Sequence, residues 1–247
     1  MFFQPIPIKP ALFIPNQETV VISDLHIGIE NELSDQGVHA GSQIHHMESM
    51  VEEICSEYHP KNIIILGDIK HSIPSTPFYE KKHLYEFIKR LQQSARVEII
   101  PGNHDGGIKA MAPESVTIHP SDGCVKDSVS FIHGHRWPSE QVMQASYLFC
   151  GHTHPIVKLT DNLGYHNYEL CWIKTPIKNE IAEQRYETYN KDLMMVIVPA
   201  FNPLCGGIAV NDEGFVGPIK HLVDTENAEV YLLDGTFIGT INHLKNQ

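Results

Sequence analysis

The 247-residue sequence predicts an α/β fold: two sheets packed on each other with helices outside them. Three observations carry that reading. Through the first half, apolar β-branched runs alternate with segments of helical period. Through the second half, short strand-like runs dominate, and a hairpin closes the chain. Finally, apolar strands one after another end in Asp, Asn or His.

Taken in order, Thr19–Asp24 (TVVISD) begins with a β-branched run and reads as a buried strand. Residues 42–58 place Ile44, Met47, Val51, Ile54, Cys55 and Tyr58 on one helical stripe, with Ser42 as N-cap and Pro60 as the stop. Asn62–Asp68 (NIIILGD) is a second buried strand. Thr76-Pro77 opens a helix over 78–94 that carries Leu84, Phe87, Ile88 and Leu91 on its apolar face. Val97–Pro101 is a third strand, so strand, helix, strand, helix, strand makes a parallel half with right-handed crossovers. The second half then offers short strands at Val129–Ile132, Tyr147–Cys150, Ile156–Leu159, Tyr168–Ile173 and Leu193–Val198. Its last segment, AEVYLLDGTFIGTI, reads as a hairpin with a type I′ turn at Asp234-Gly235. No internal repeat or linker divides the chain, so residues 1–247 are expected to form a single domain.

Composition narrows the function classes. Hydrophobic residues are 42% and charged residues 19%, a globular balance that excludes a disordered chain. A net charge of −12 argues against sequence-independent binding to nucleic acid or anionic lipid. No apolar run reaches the roughly 18–20 residues that cross a bilayer, and the proline-broken N-terminus does not read as a signal peptide. The five cysteines are scattered without a Cys-x-x-Cys, as expected of reduced thiols in a cytoplasmic protein. Histidine is in surplus, at 16 residues, which directs attention to metal binding.

The strand ends supply the sharper signal. They read Ser23-Asp24-Leu25-His26, Gly67-Asp68, Gly102-Asn103-His104-Asp105, His133-Gly134-His135 and Gly151-His152-Thr153-His154. A lone Asp after a strand is ordinarily a turn former, and a lone His a surface residue. Buried parallel strands, however, deliver the residues at their ends to one edge of the sheet. Two carboxylates, one carboxamide and four imidazoles there suit two divalent ions, and the all-O,N set argues against a structural thiolate zinc site.

In this order, Asp-x-His, Gly-Asp, Gly-Asn-His-Asp, His-Gly and Gly-His-Thr-His resemble the calcineurin-like metallophosphoesterase superfamily. That resemblance implies a four-layer α/β/β/α sandwich of two mixed sheets flanked by helices, with a dinuclear site at the strand ends. It implies that Asp24, His26 and His154 hold one metal, that Asn103, His133 and His152 hold the other, and that Asp68 bridges them. His104 is then the catalytic histidine that faces the leaving group. The implied chemistry is phosphoester hydrolysis, of diesters and potentially of monoesters, by a hydroxide bridging the ions. Manganese is the expected metal; iron, nickel and zinc suit the same donors.

His71, the third residue after Asp68, resembles the SbcD-type nucleases, where it would be a second catalytic histidine beside His104 or against a phosphate. The opening DLHIG, the VPAFNPLCGG stretch (198–207) and the closing hairpin resemble the small SbcD-related phosphoesterases, archaeal and ligase-associated. By that association the expected setting is DNA repair, with a helicase or ligase as partner and no membrane. The residues after His154 are largely needed to finish the second sheet, so no separate DNA-binding cap is expected. The charge then favours single-stranded nucleic acid or nucleotides as substrate. A small-molecule phosphatase or cyclic-nucleotide phosphodiesterase is the alternative, and a non-catalytic metal-binding scaffold a more distant one. His135 stands between a substrate contact and a turn residue, and nine further histidines have no assigned role.

Overall fold

The computed structural model describes residues 3–245. Its first sheet runs β1 (Gln4–Pro5), β2 (Leu12–Ile14), β3 (Thr19–Ile22), β4 (Asn62–Ile65), β5 (Arg96–Ile99) and β6 (Thr117–Ile118), in that spatial order. β1 to β3 pair antiparallel, and β3 to β6 run parallel. The second sheet contains β7 (Cys124–Lys126), β8 (Val129–Ile132), β9 (Tyr147–Cys150), β10 (Pro155–Thr160), β11 (His166–Pro176), β12 (Met194–Ile197) and β13 (Ile208–Ala209). They lie in the order β13-β10-β11-β12-β9-β8-β7, and the hairpin of β14 (Glu229–Leu232) and β15 (Phe237–Thr240) joins through β11. Within it β8, β9 and β12 are parallel, whereas β11 is antiparallel to β10, β12 and β14. The α-helices among the described residues are α1 (Ile29–Asp35), α2 (Ile44–Tyr58), α3 (Phe78–Leu91), α4 (Asn179–Arg185) and α5 (Ile241–Leu244).

Strand alternation builds the layers. Val20, Ile22, Ile63, Ile65, Val97 and Ile99 face α2 and α3, where Met47, Val51, Ile54, Leu84, Phe87 and Ile88 meet them. The residues between them, Val21 and Ile64, point the other way and meet Phe131, Phe149, Trp172 and Val196 of the second sheet. The far face of that sheet buries Leu148, Cys150, Ile173, Met195 and Ile197 against α4, α5 and their loops. Helix, sheet, sheet, helix is the four-layer α/β/β/α order expected. Central strands buried on both faces explain their unbroken apolar runs.

Several boundaries differ from the sequence reading. α2 starts at Ile44 with Gln43 rather than Ser42 at its cap, and Ser42 Oγ lies 3.4 Å from the Ile44 amide. α3 ends at Leu91, its last core residue, and residues 92–95 turn out of the helix. β3 and β4 stop at Ile22 and Ile65, two and three residues short of the aspartates, because the chain there leaves extended geometry. The closing hairpin forms, but Asp234 keeps a negative φ and only Gly235, at +88°, is left-handed. A type I′ turn needs both residues left-handed. Asp234 Oδ1 instead accepts from the Thr236 amide at 2.9 Å. α1 was not anticipated: it buries none of its residues, so it has no apolar stripe to read. All five cysteines are free thiols, and among the described residues no helix is long and apolar enough to cross a membrane.

Candidate metal centre

β3, β4 and β5 in one sheet and β8 and β9 in the other all end at the same edge, where the five motifs meet. Beyond their strands the first two loops stay zipped together. The Asp24 amide donates to Gly67 O (3.2 Å), His26 N–H to Asp68 O (2.8 Å) and Ile27 N–H to Ile69 O (2.8 Å). Of nine left-handed non-glycine residues among the described ones, five are Asp24, His26, Asp68, His152 and His154, with φ from 39° to 68°. Asp and His tolerate that region better than most residues, and such strain concentrates where function demands it. Two glycines allow the loops to close. Gly67, at φ +72°, has the Gly102 amide and the His133 ring where a Cβ would stand. At Gly151 a Cβ would run into Ser23 Oγ and the Asp24 carboxylate.

Asp68 stands between two groups of donors. Its Oδ2 is 3.3 Å from His133 Nε2 and 3.6 Å from His26 Nε2. On one side Asp24, His26 and Asp68 can converge on one ion; on the other Asp68, His133 and His152 can do the same. His154 Nε2 lies 3.2 Å from Asp24 Oδ1, and Asn103 Oδ1 is 3.2 Å from His133 Nε2. His133 Nε2 is also 3.1 Å from His152 Nδ1. The seven residues named as ligands from sequence are therefore brought together around one shared carboxylate.

Their outer hydrogen bonds set which atoms face inward. His133 Nδ1–H donates to Leu66 O (2.7 Å) and His154 Nδ1–H to Gly206 O (3.0 Å), so in each ring Nε2 is the atom turned toward the carboxylates, where it would offer its lone pair to an ion on losing its proton. Asp24 Oδ2 accepts from Ser23 Oγ–H (2.5 Å) and the His152 amide (3.1 Å). Asp24 Oδ1 and His26 Nε2, by contrast, are buried with no hydrogen-bond partner. Buried polar atoms that make no hydrogen bond, here a carboxylate oxygen and an imidazole nitrogen with only ion-pair neighbours, are costly for a protein alone and suit a divalent cation. The donor set therefore fits the ions.

Electrostatics agree with that fit. Burial alone would raise the Asp24 and Asp68 carboxyls, but His154 and His133, foremost among the facing imidazoles, hold both below the ordinary carboxylate range. Burial also opposes charge on His133, yet Asp68 and Asp24 lift it to about 9. Burial pushes His152 and His26 down, to about 4 and about 3, despite the neighbouring aspartates. The metal-free cluster balances two buried carboxylates with protonated imidazole, a part cations can take over.

His104 and His71 lie beside His26, with the His104 ring 4.8 Å and the His71 ring 5.3 Å from it. The His104 amide donates to Asp68 Oδ1 (2.8 Å), and His104 Nδ1–H donates to the His71 carbonyl (2.5 Å). The His71 ring is engaged elsewhere, 2.6 Å from Glu32 Oε2 and 3.2 Å from His26 Nδ1. His135 sits with its ring 5.2 Å from that of His133, its Nδ1 buried and unpartnered, and burial lowers it to about 4.

Sequence reasoning missed several supporting residues. Buried Asp105 accepts from the Gly102 (2.8 Å) and Ile69 (2.9 Å) amides and so fastens the third motif to the second. Buried Glu80, from the first turn of α3, receives the His71 and Ser72 amides (3.0 Å each) and Ser72 Oγ–H (2.5 Å). Asn202 Nδ2–H donates to Leu25 O (2.7 Å) and brings Cys205 beside the centre, where burial pushes its thiol up and keeps it protonated. Asp105 stands in the sequence as the last residue of Gly-Asn-His-Asp, without an assigned role. Glu80 and Asn202 carried none, because their partners lie in other segments.

Comparisons with known proteins bear on the fold and the family. Among solved structures, the nuclease MPE of Pseudomonas putida is similar in fold, with 18% sequence identity and a TM-score of 0.59 over 94% of this chain and 97% of that one. The phosphoesterase Yfce from E. coli has 15% identity and a TM-score of 0.40, over 90% of this chain and 96% of that one. A family model described as the calcineurin-like phosphoesterase superfamily domain matches residues 18–164. That match takes in all five strand-end motifs and more than half of the chain: the protein belongs to the calcineurin-like phosphoesterase superfamily, as a metal-dependent phosphoesterase.

Proposed function

We propose that the chain hydrolyses phosphodiester bonds in nucleotides or short single-stranded nucleic acid, at a centre of two divalent ions. The observation that carries this reading is Asp68, shared by two donor groups while buried Asp24 Oδ1 and His26 Nε2 make no hydrogen bond. Asp24, His26 and His154 would hold one ion, Asn103, His133 and His152 the other, and Asp68 both. Two such ions, Mn²⁺ by first choice, polarise a phosphoryl group and acidify water. The chain's own part is placement. Asp68 Oδ1 receives the His104 amide, so the shared carboxylate and the acid move as one unit. With Nδ1–H held by the His71 carbonyl, His104 keeps Nε2 for the substrate. As imidazolium it gives the Nε2 proton to the leaving oxygen while the P–O bond breaks. Buried Glu80 holds the 71–72 backbone, and thereby the carbonyl that orients His104.

The net charge of −12 supports small or flexible substrates over long duplexes. The same charge favours the second reading, a phosphodiesterase or phosphatase for small molecules. Residues after β9 build β10 to β15, α4 and α5, which supports reading the described residues as a single domain. Resemblance to the SbcD-related branch supports a setting in DNA repair. The test is a panel in Mn²⁺ that compares a chromogenic diester, labelled single-stranded DNA, RNA and 2′,3′-cyclic nucleotides. Cleavage of the chromogenic diester together with a nucleotide or strand is expected. Turnover confined to the chromogenic diester would overturn the substrate class, and no turnover at all the activity.

A further inference from the structure

We propose that Glu32 is a positioning residue for this centre: through the ring of His71 it fixes which nitrogen of His26 faces the ion. The inference rests on the metal-centre reading above and extends it to a residue of α1. The chain enters α1 through Gly28 directly after the Asp24-x-His26 motif, so the helix stands beside the centre although it buries none of its own residues.

Three contacts determine the proton positions. Glu32 Oε2 is 2.6 Å from His71 Nε2. A carboxylate oxygen that close to a bare ring nitrogen would set two lone pairs against each other, so Nε2 carries hydrogen and donates. With that single hydrogen on the ring, its lone pair is on Nδ1, which lies 3.2 Å from His26 Nδ1. His26 must supply the hydrogen for that bond, as Nδ1–H. Its remaining lone pair is on Nε2, the atom that is buried without a partner and 3.6 Å from Asp68 Oδ2. Carboxylate, imidazole, imidazole and ion site thus form one chain of hydrogen bonds in a single direction. A carboxylate behind a ligating histidine orients the ring and raises its basicity. Here that influence passes through a second ring.

His71 is suited to the middle of the chain. Its amide is held by Glu80 Oε1 and Ile27 O, both at 3.0 Å, so the ring is delivered from a fixed backbone. Both ring nitrogens are engaged inside the protein, and the residue reaches His104 through its carbonyl instead. Without the Glu32 carboxylate, Nε2–H loses its acceptor, the neutral His71 ring populates both tautomers, and His26 does the same.

The Glu32 side chain is 59% exposed, so its substitution leaves the packing intact. The experiment uses ¹⁵N-histidine-labelled, metal-free protein, in which long-range proton–nitrogen spectra report which ring nitrogen is protonated. In the wild type His71 is expected protonated on Nε2 and His26 on Nδ1. Glu32→Ala should mix the tautomers at both rings, whereas Glu32→Gln, whose amide oxygen also accepts, should retain the wild-type pattern. Calorimetric titration with Mn²⁺ should show Glu32→Ala about tenfold weaker, with Glu32→Gln and Glu30→Ala close to wild type. Unchanged tautomers at both rings in Glu32→Ala would overturn the relay. A wild type that takes up no Mn²⁺ would overturn the metal-centre reading instead, and the metal-free spectra would still decide the relay.

Discussion

His104 has one ring nitrogen tied to a backbone carbonyl and its amide tied to Asp68, so its function is separable from the ligands'. Replacing it with Ala removes a proton donor and no ion ligand. Turnover of a chromogenic diester should fall about 10²–10⁴-fold with Mn²⁺ affinity unchanged; equal turnover would remove the acid role. Gly151 gives a second residue-scale prediction. Gly151→Ala drives a methyl into Ser23 Oγ and Asp24, so it should weaken Mn²⁺ binding and lower thermal stability. Gly106→Ala, with nothing within 4 Å of its Cβ position, should leave both at the wild-type level. At this scale the clustering of donor side chains was legible because five strand ends repeat one chemistry in order. Ser23 and Glu32 were not, since their value lies in contacts with Asp24 Oδ2 and His71 Nε2 that no spacing announces.

The two sheets are clasped at the level of elements by Glu98 of β5. Its carboxylate takes His119 Nε2–H (2.7 Å), just beyond β6, and Lys126 Nζ–H of β7 in the other sheet. His119 leads the effects that hold Glu98 down to about 2, while Cys124 and Glu98 raise His119 from 6.5 to about 9. A raised histidine contributes its full stability below its ordinary value of 6.5 and loses it as pH climbs through about 9. The depressed Glu98 contributes above 4.5 and fails as pH falls through about 2. Urea unfolding should therefore show His119→Gln less stable than wild type near pH 6, with the gap shrinking toward pH 9.5. A gap that stays constant over this range would contradict the clasp. Elements with an apolar face, such as α2 and β4, were readable from period and β-branching alone. α1 and the two- and three-residue strands β1 and β2 were not, because they are too short or too exposed to write a pattern.

Across the whole molecule, each sheet buries both faces of its central strands, and this places five strand ends at one edge. Val21 and Ile64 face the other sheet while their neighbours face helices, so the four-layer order was implicit in runs such as NIIIL. What the sequence could not show is how the loops bend once past Ile22 and Ile65, where left-handed residues turn the donors inward. The charge belongs to this scale as well. At −12 the molecule presents little to attract a long polyanion, so in the proposed function the attraction for phosphate would come from ions held by Asp24, Asp68 and the histidines. Calorimetric titration of the metal-free protein with Mn²⁺, in wild type and in Asp68→Asn, tests that account most directly. Two ions per wild-type chain are predicted, with affinity for both lost or greatly weakened in Asp68→Asn. No uptake by the wild type, or two ions held equally well by Asp68→Asn, would contradict it.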